Sequence, residues 1–216
     1  MTTRAVTLVA RTSAVGETQA LAAELAALAE PGDLIVLAGD LGAGKTAFVQ
    51  GFGRGLGVTE PITSPTFTLA QQYEGRLRVH HLDVYRLDQL GEVAELGLAE
   101  LLDDGGVVLI EWGDAILPVL PNDYLEVRLV FPQVGSSSDD DRRILLHSVG
   151  LSWGRRQVSL LHAIAPWAEA PNGSPVDAPL DAPPGASGAA GGPGAAGPSR
   201  PADAPADPPD EGGAPC

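Results

Sequence analysis

The chain has 216 residues, with 13 Lys or Arg against 28 Asp or Glu and a formal net charge of −15. This balance excludes a protein that grips DNA or RNA through its own phosphate contacts, which need clustered Lys and Arg. The single cysteine, Cys216, excludes an internal disulfide. No basic segment leading into a long apolar core opens the chain, and no apolar run is long enough to span a bilayer; a cytoplasmic protein without a membrane partner is expected.

The elements follow in order. "AVTLVA" (5–10) is a short β-type run. "SAVGETQALAAELAALAE" (13–30) carries Leu21, Leu25 and Leu28 at helical spacing, with Ser13 as a candidate cap. "LIVLAG" (34–39) is continuously apolar, as expected of a strand buried on both faces. A helix pattern starts near Lys45 and stops around Gly55 to Gly57. "TFTLAQQYE" (66–74) and "RLRVHHLDVY" (76–85) read as a hairpin joined through Glu74-Gly75. "DQLGEVAELGLAELL" (88–102) reads as a helix, and "VVLIEW" (107–112) as a second buried strand. "YLEVRLVF" (124–131) and "RRILLHSVG" (142–150) alternate and read as antiparallel strands, and "GRRQVSLLHAI" (154–164) as a closing helix. Buried runs mixed with helices and alternating strands predict an α/β fold with a mixed, partly parallel sheet flanked by helices.

From Pro166 the composition changes. Thirteen of the 19 prolines lie in residues 166–216, with one leucine, one valine, and no isoleucine or phenylalanine. Such a segment buries too little apolar surface to offset the entropy of ordering, so a disordered tail is expected. The folded domain is then residues 1–165, with 21 acids and 12 basic residues, net −9.

Eleven of those 12 basic residues are arginine; Lys45 is the only lysine in the chain. It stands in Gly39-Asp40-Leu41-Gly42-Ala43-Gly44-Lys45-Thr46, which fits G-x-x-x-x-G-K-[ST]. The motif follows a predicted buried strand and opens a predicted helix, the context it requires. Its glycines let backbone N–H groups turn onto phosphate oxygens, and the helix N-terminus adds partial positive charge. A lysine reaches the β and γ phosphates as a compact point charge where a planar guanidinium is too bulky. Thr46 offers a hydroxyl to Mg²⁺. No second lysine exists for the Asn-Lys-x-Asp loop that reads guanine, so ATP is the expected nucleotide.

Two acids end strands. Glu111 closes "VVLIE" and is assigned to the Mg²⁺ site; Asp83 closes "VHHLD" and is assigned to positioning or activating the attacking water. Thr66, in "SPTFT", is a candidate γ-phosphate sensor of the switch type. Trp112 reads as a core aromatic or a neighbour of the nucleotide. His80 and His81 have no metal-ligand partners at useful spacing and read as structural.

Together, "GDLGAGKT", "SPTFTL", "HLDVYRL" and "IEWGD", in this order, closely resemble the TsaE family (also called YjeE), the small ATPases of bacterial tRNA threonylcarbamoyladenosine synthesis. The likeness covers about residues 13–150. It implies a P-loop α/β fold, ATP hydrolysis, action with TsaD and TsaB, and contact with tRNA only through those partners. It implies that Lys45 and Thr46 are the P-loop lysine and metal-binding threonine, Glu111 the metal-site acid, Asp83 a second functional acid, and Trp112 the tryptophan that follows the glutamate. Val15 and Arg142 match weaker family positions near the nucleotide, which the loop residues Leu41, Gly42, Ala43 and Gly44 would also contact. The competing class is a P-loop small-molecule kinase, in which Arg54, Arg76, Arg78 or Arg86 would clamp phosphates. No lid-like arginine cluster follows the core, which ranks that class lower.

Overall fold

A computed structural model describes residues 7–85, 96–131 and 140–169. All of these belong to one unit, Met1–Gly173. The expected disordered tail lies outside the described residues, except for its first four positions.

Seven strands form one sheet in the order β1-β7-β6-β2-β5-β4-β3. They are β1 (Thr7–Thr12), β2 (Leu34–Ala38), β3 (Ala70–Tyr73), β4 (Val79–Asp83), β5 (Val107–Glu111), β6 (Tyr124–Val130) and β7 (Arg142–Val149). The four central strands β6, β2, β5 and β4 run parallel; β1, β7 and β3 add antiparallel edges. The expected mixed sheet is therefore present. β6 and β7 pair antiparallel as expected, and the other edge of β6 joins β2 in parallel.

The apolar runs explain the layers. Every residue of β2, β4 and β5 is buried, as parallel strands covered on both faces require. Ile35 and Leu37 face one core with α1 (Val15–Ala26) and α2 (Lys45–Gly55), together with Phe48, Phe52 and Trp153. Leu34 and Val36 face the other, with Leu82, Ile110 and Ile116. Leu98, Leu101 and Leu102 of α3 (Leu98–Asp103) pack against that second core, beside a 3₁₀ helix at Gly113–Val119. Phe48 and Phe52 stack at 6.2 Å between ring centroids; each fully buried ring contributes on the order of 2 kcal/mol. A side chain at Gly51 would run into the backbone of Gln19, so glycine there lets α2 lie against α1.

Several boundaries move. The cap of α1 is Ala14, not Ser13; Ser13 instead donates its backbone N–H (2.7 Å) and hydroxyl (3.0 Å) to Glu17. The hairpin exists, but residues 66–69 leave the strand to form a turn, with Thr68 and Leu69 N–H both on the Pro65 carbonyl. Helix 88–102 is described only from its end, and residues 86–95 lie outside the described residues. The closing helix is broken into α4 (Ser152–Arg155) and α5 (Gln157–Ala163). Past the expected boundary at 165, Ala165–Trp167 forms a 3₁₀ turn, Ala168 bridges Ala10 on β1, and Glu169 pairs with Arg143 at 3.0 Å. These residues close the outer edge of β1, an edge that the tail's composition does not reveal.

Candidate functional site

The parallel strands β2, β5 and β4 end on the same side of the sheet, and the chemistry gathers there. Leaving β2, Gly39 adopts φ 134°, and a Cβ there would collide with the Leu129 carbonyl of β6. The loop turns through Ala43 N–H on Asp40 C=O at 3.1 Å, and Gly44 starts α2. The first N–H groups of that helix have no helical acceptor and leave partial positive charge at its start.

Lys45 is only 5% exposed. Its Nζ donates to the carbonyls of Gly39 (2.7 Å) and Asp40 (2.9 Å) and lies 3.4 Å from the Trp112 ring centroid. Burial pushes its pKa below the ordinary lysine value, while the charges of Glu111 and Asp114 pull the other way. Trp112 holds a left-handed backbone (φ 63°), an uncommon conformation for a bulky residue. That turn brings its ring against Tyr85 (centroids 4.8 Å) and under Lys45.

Asp83 and Glu111 are register partners at the tips of β4 and β5. The Thr46 hydroxyl donates to both Glu111 oxygens, at 2.8 and 3.1 Å. Asp83 Oδ2 accepts from Thr66 (2.7 Å) and Ser64 (3.0 Å), and Oδ1 accepts the Tyr85 N–H (3.1 Å). Both carboxylates are 3% exposed, and neither forms an ion pair with Lys or Arg among the described residues.

Of the sequence-selected residues, Leu41, Gly42, Gly44, Lys45, Thr46, Thr66, Asp83, Glu111 and Trp112 line one cleft of about 340 Å³. Ala43 is buried behind the loop. Arg142 does not line the cleft. It braces the loop from outside, donating Nε to Ala43 C=O (3.0 Å) and Nη2 to Gly42 C=O (3.3 Å), with its guanidinium over the Phe131 ring. Val15 opens α1, half exposed, and is also absent from the cleft lining. Of the four arginines named for the kinase class, Arg86 lies outside the described residues.

His81, read from the sequence as structural, meets the Glu111 carboxylate. Its Nε2 is 2.8 Å from Glu111 Oε1, and the ring is wholly buried. The signal was present in "HLD": a spacing of two puts His81 on the same face of β4 as Asp83. Ser64, on the Asp83 carboxylate, was legible only as one hydroxyl among several.

A buried strand, a glycine loop bracing one lysine over a helix N-terminus, and strand-tip acids beside the helix threonine define a P-loop NTPase-like α/β domain. The sequence profile described as "Threonylcarbamoyl adenosine biosynthesis protein TsaE" matches residues 12–139. The tRNA threonylcarbamoyladenosine biosynthesis protein TsaE of Bacillus subtilis is 45% identical over 135 residues, covering 62% of this chain and 81% of that protein. Its namesake in Streptomyces coelicolor is 39% identical over 146 residues, covering 65% of this chain and 97% of that one. The crystal structure of Bacillus subtilis YdiB superposes with a TM-score of 0.61 at 36% identity, covering 76% of this chain and 98% of that chain. The chain belongs to the TsaE family. Among the described residues, no helix is long and apolar enough to cross a membrane.

Proposed function

We propose that this chain binds ATP with Mg²⁺ at the P-loop and hydrolyses it, as the nucleotide-driven subunit of tRNA N6-threonylcarbamoyladenosine synthesis. The observation that carries this reading is the contact of the Thr46 hydroxyl with the Glu111 carboxylate beside Lys45. A hydroxyl and a carboxylate are the hard oxygen donors Mg²⁺ takes from a protein when phosphates and water complete its shell. When bound, the ion neutralises phosphate charge.

The chain's own residues do the rest. Lys45, resting on loop carbonyls, supplies positive charge to the β and γ phosphates. Arg142 fixes the Gly42 and Ala43 peptides from behind, so the phosphate-facing N–H groups are held in place before the ligand arrives. Asp83 orients the attacking water, and its bonds to Ser64 and Thr66 tie that role to the 64–69 loop. Thr66 reports whether the γ-phosphate is present, a reading its bond to Asp83 supports. The acidic surface makes tRNA affinity weak in the isolated chain, so TsaD and TsaB hold the tRNA and read the nucleotide state.

Hydrolysis is measured with and without a purified TsaB–TsaD complex and tRNA. Slow turnover alone and clear stimulation by the complex are expected. Fast turnover by the lone chain, or ATP-dependent phosphorylation of a metabolite without partners, overturns the reading in favour of a kinase.

A further inference from the structure

The two histidines of β4 face opposite sides of the sheet. His80 reaches Asp104 at 3.2 Å, near the surface. His81 is wholly enclosed, with Nε2 2.8 Å from Glu111 Oε1. An ionised carboxylate has only acceptors, so the hydrogen in this bond comes from His81 Nε2. The other ring nitrogen, Nδ1, is buried without a hydrogen-bond partner among the described residues. A hydrogen there would be an unsatisfied buried donor, whereas a bare lone pair costs less. The geometry therefore puts a hydrogen on Nε2, toward Glu111.

This matters because the terminal torsion of a glutamate is broad and poorly fixed by its own preferences. Oε1 of Glu111 is occupied by both His81 and Thr46, at 2.8 Å each, while Oε2 has only the longer Thr46 contact of 3.1 Å. The donors thus hold one oxygen and leave the other the freer acceptor.

We propose that His81 is a positioning residue for the metal site: its Nε2–H locks the Glu111 carboxylate so that Oε2 is the oxygen offered to Mg²⁺. This rests on the reading of Glu111 as the metal-site acid. Hydrogen bonds that orient a ligating carboxylate commonly govern metal affinity by about 10–100-fold.

The test uses the full chain and a non-hydrolysable ATP analogue. Analogue binding is titrated with Mg²⁺ by calorimetry, with binding in EDTA as the reference, for native protein, His81→Phe, His81→Gln and Glu111→Gln. The Mg²⁺ concentration giving half the metal-dependent gain should rise about tenfold in His81→Phe. His81→Gln, which restores an N–H donor, should recover most of that loss. A native Mg²⁺ requirement in His81→Phe alongside an impaired Glu111→Gln overturns the positioning role and leaves the metal acid standing. If Glu111→Gln is itself unaffected, the reading of the metal acid fails, and this proposal with it. Should His81→Phe not fold, ¹⁵N-histidine spectra of the native protein decide. A hydrogen on His81 Nε2 is expected, and an Nε2 without one overturns the proposal.

Discussion

The two ends of the parallel strands treat buried charge in opposite ways. At the end away from the cleft, Asp33 precedes β2 and takes a two-pronged bond from Arg156, 2.6 Å on each arm. Arg156 also donates to the Leu28 carbonyl and lies over Trp153, so this pair anchors the closing helices beneath the sheet. Closer to solvent at the same end, the partly exposed Arg78 pairs with Asp104 at 2.7 Å. At the cleft end, Glu111 and Asp83 are just as buried but are met by hydroxyls, an imidazole and one backbone N–H. Lys45 is close by, yet it is bonded to carbonyls. Charges that build the fold are matched with arginines; charges at the site are held in place without being neutralised. A site arranged that way suits a cation that comes and goes with a phosphate.

Breaking either end tests the comparison. Asp33→Ala should have the largest effect. It strands Arg156 in a largely buried position, a change that costs about 3–5 kcal/mol, readable by denaturant unfolding. ATP affinity of the molecules that remain folded should be unchanged, and its collapse would show that the two ends are not independent.

Lys45→Ala comes next, with the opposite signature. Losing a charge-assisted contact to phosphate should weaken ATP binding by about 10–100-fold, measured with a fluorescent analogue, while stability holds. pH sharpens this prediction. Because burial lowers the Lys45 pKa, the unfolded chain holds that proton more tightly than the native one. Native stability therefore gains from this group as pH rises through its lowered pKa toward the ordinary value of 10.5. ATP affinity should fall over the same window as the charge is lost. In Lys45→Ala, melting temperature should lose that alkaline gain; an unchanged slope would show that the lysine is not desolvated.

The smallest effect is expected at Asp104→Asn. The hydrogen bond from Arg78 holds the Asp104 carboxyl below its ordinary pKa of 3.8. Its stabilisation is present above that value and lost as pH falls through the lowered one. Melting curves of native and variant should differ slightly at neutral pH and converge in acid, with ATP affinity untouched.

Much of the cleft was legible in the chain because its logic is local. The glycines, Lys45 and Thr46 act within one loop and one helix turn, so spacing alone identifies them. Glu111 is readable because it ends a continuous apolar run, Asp83 because it closes the more amphipathic "VHHLD", and parallel strands present such ends together. The contact of His81 with Glu111 is not readable locally, because that partner lies 30 residues away, on a neighbouring strand. Its two-residue spacing from Asp83 pointed to the right face but not to what waits there. The brace from Arg142 to the loop is not readable locally, because the carbonyls it meets there lie about 100 residues earlier in the chain.

The sequence by itself determined the α/β class, the glycine loop that opens α2 and the strand-tip acids, because periodicity and steric demands operate within a few residues. Only the tertiary structure decided that Thr46 meets Glu111, that His81 stands behind it, that Thr66 and Ser64 fall on Asp83, and that β6 joins β2 in parallel. Those outcomes depend on which strands become neighbours and in what register. Register is set by the packing of whole layers, where burial of apolar surface outweighs any local preference.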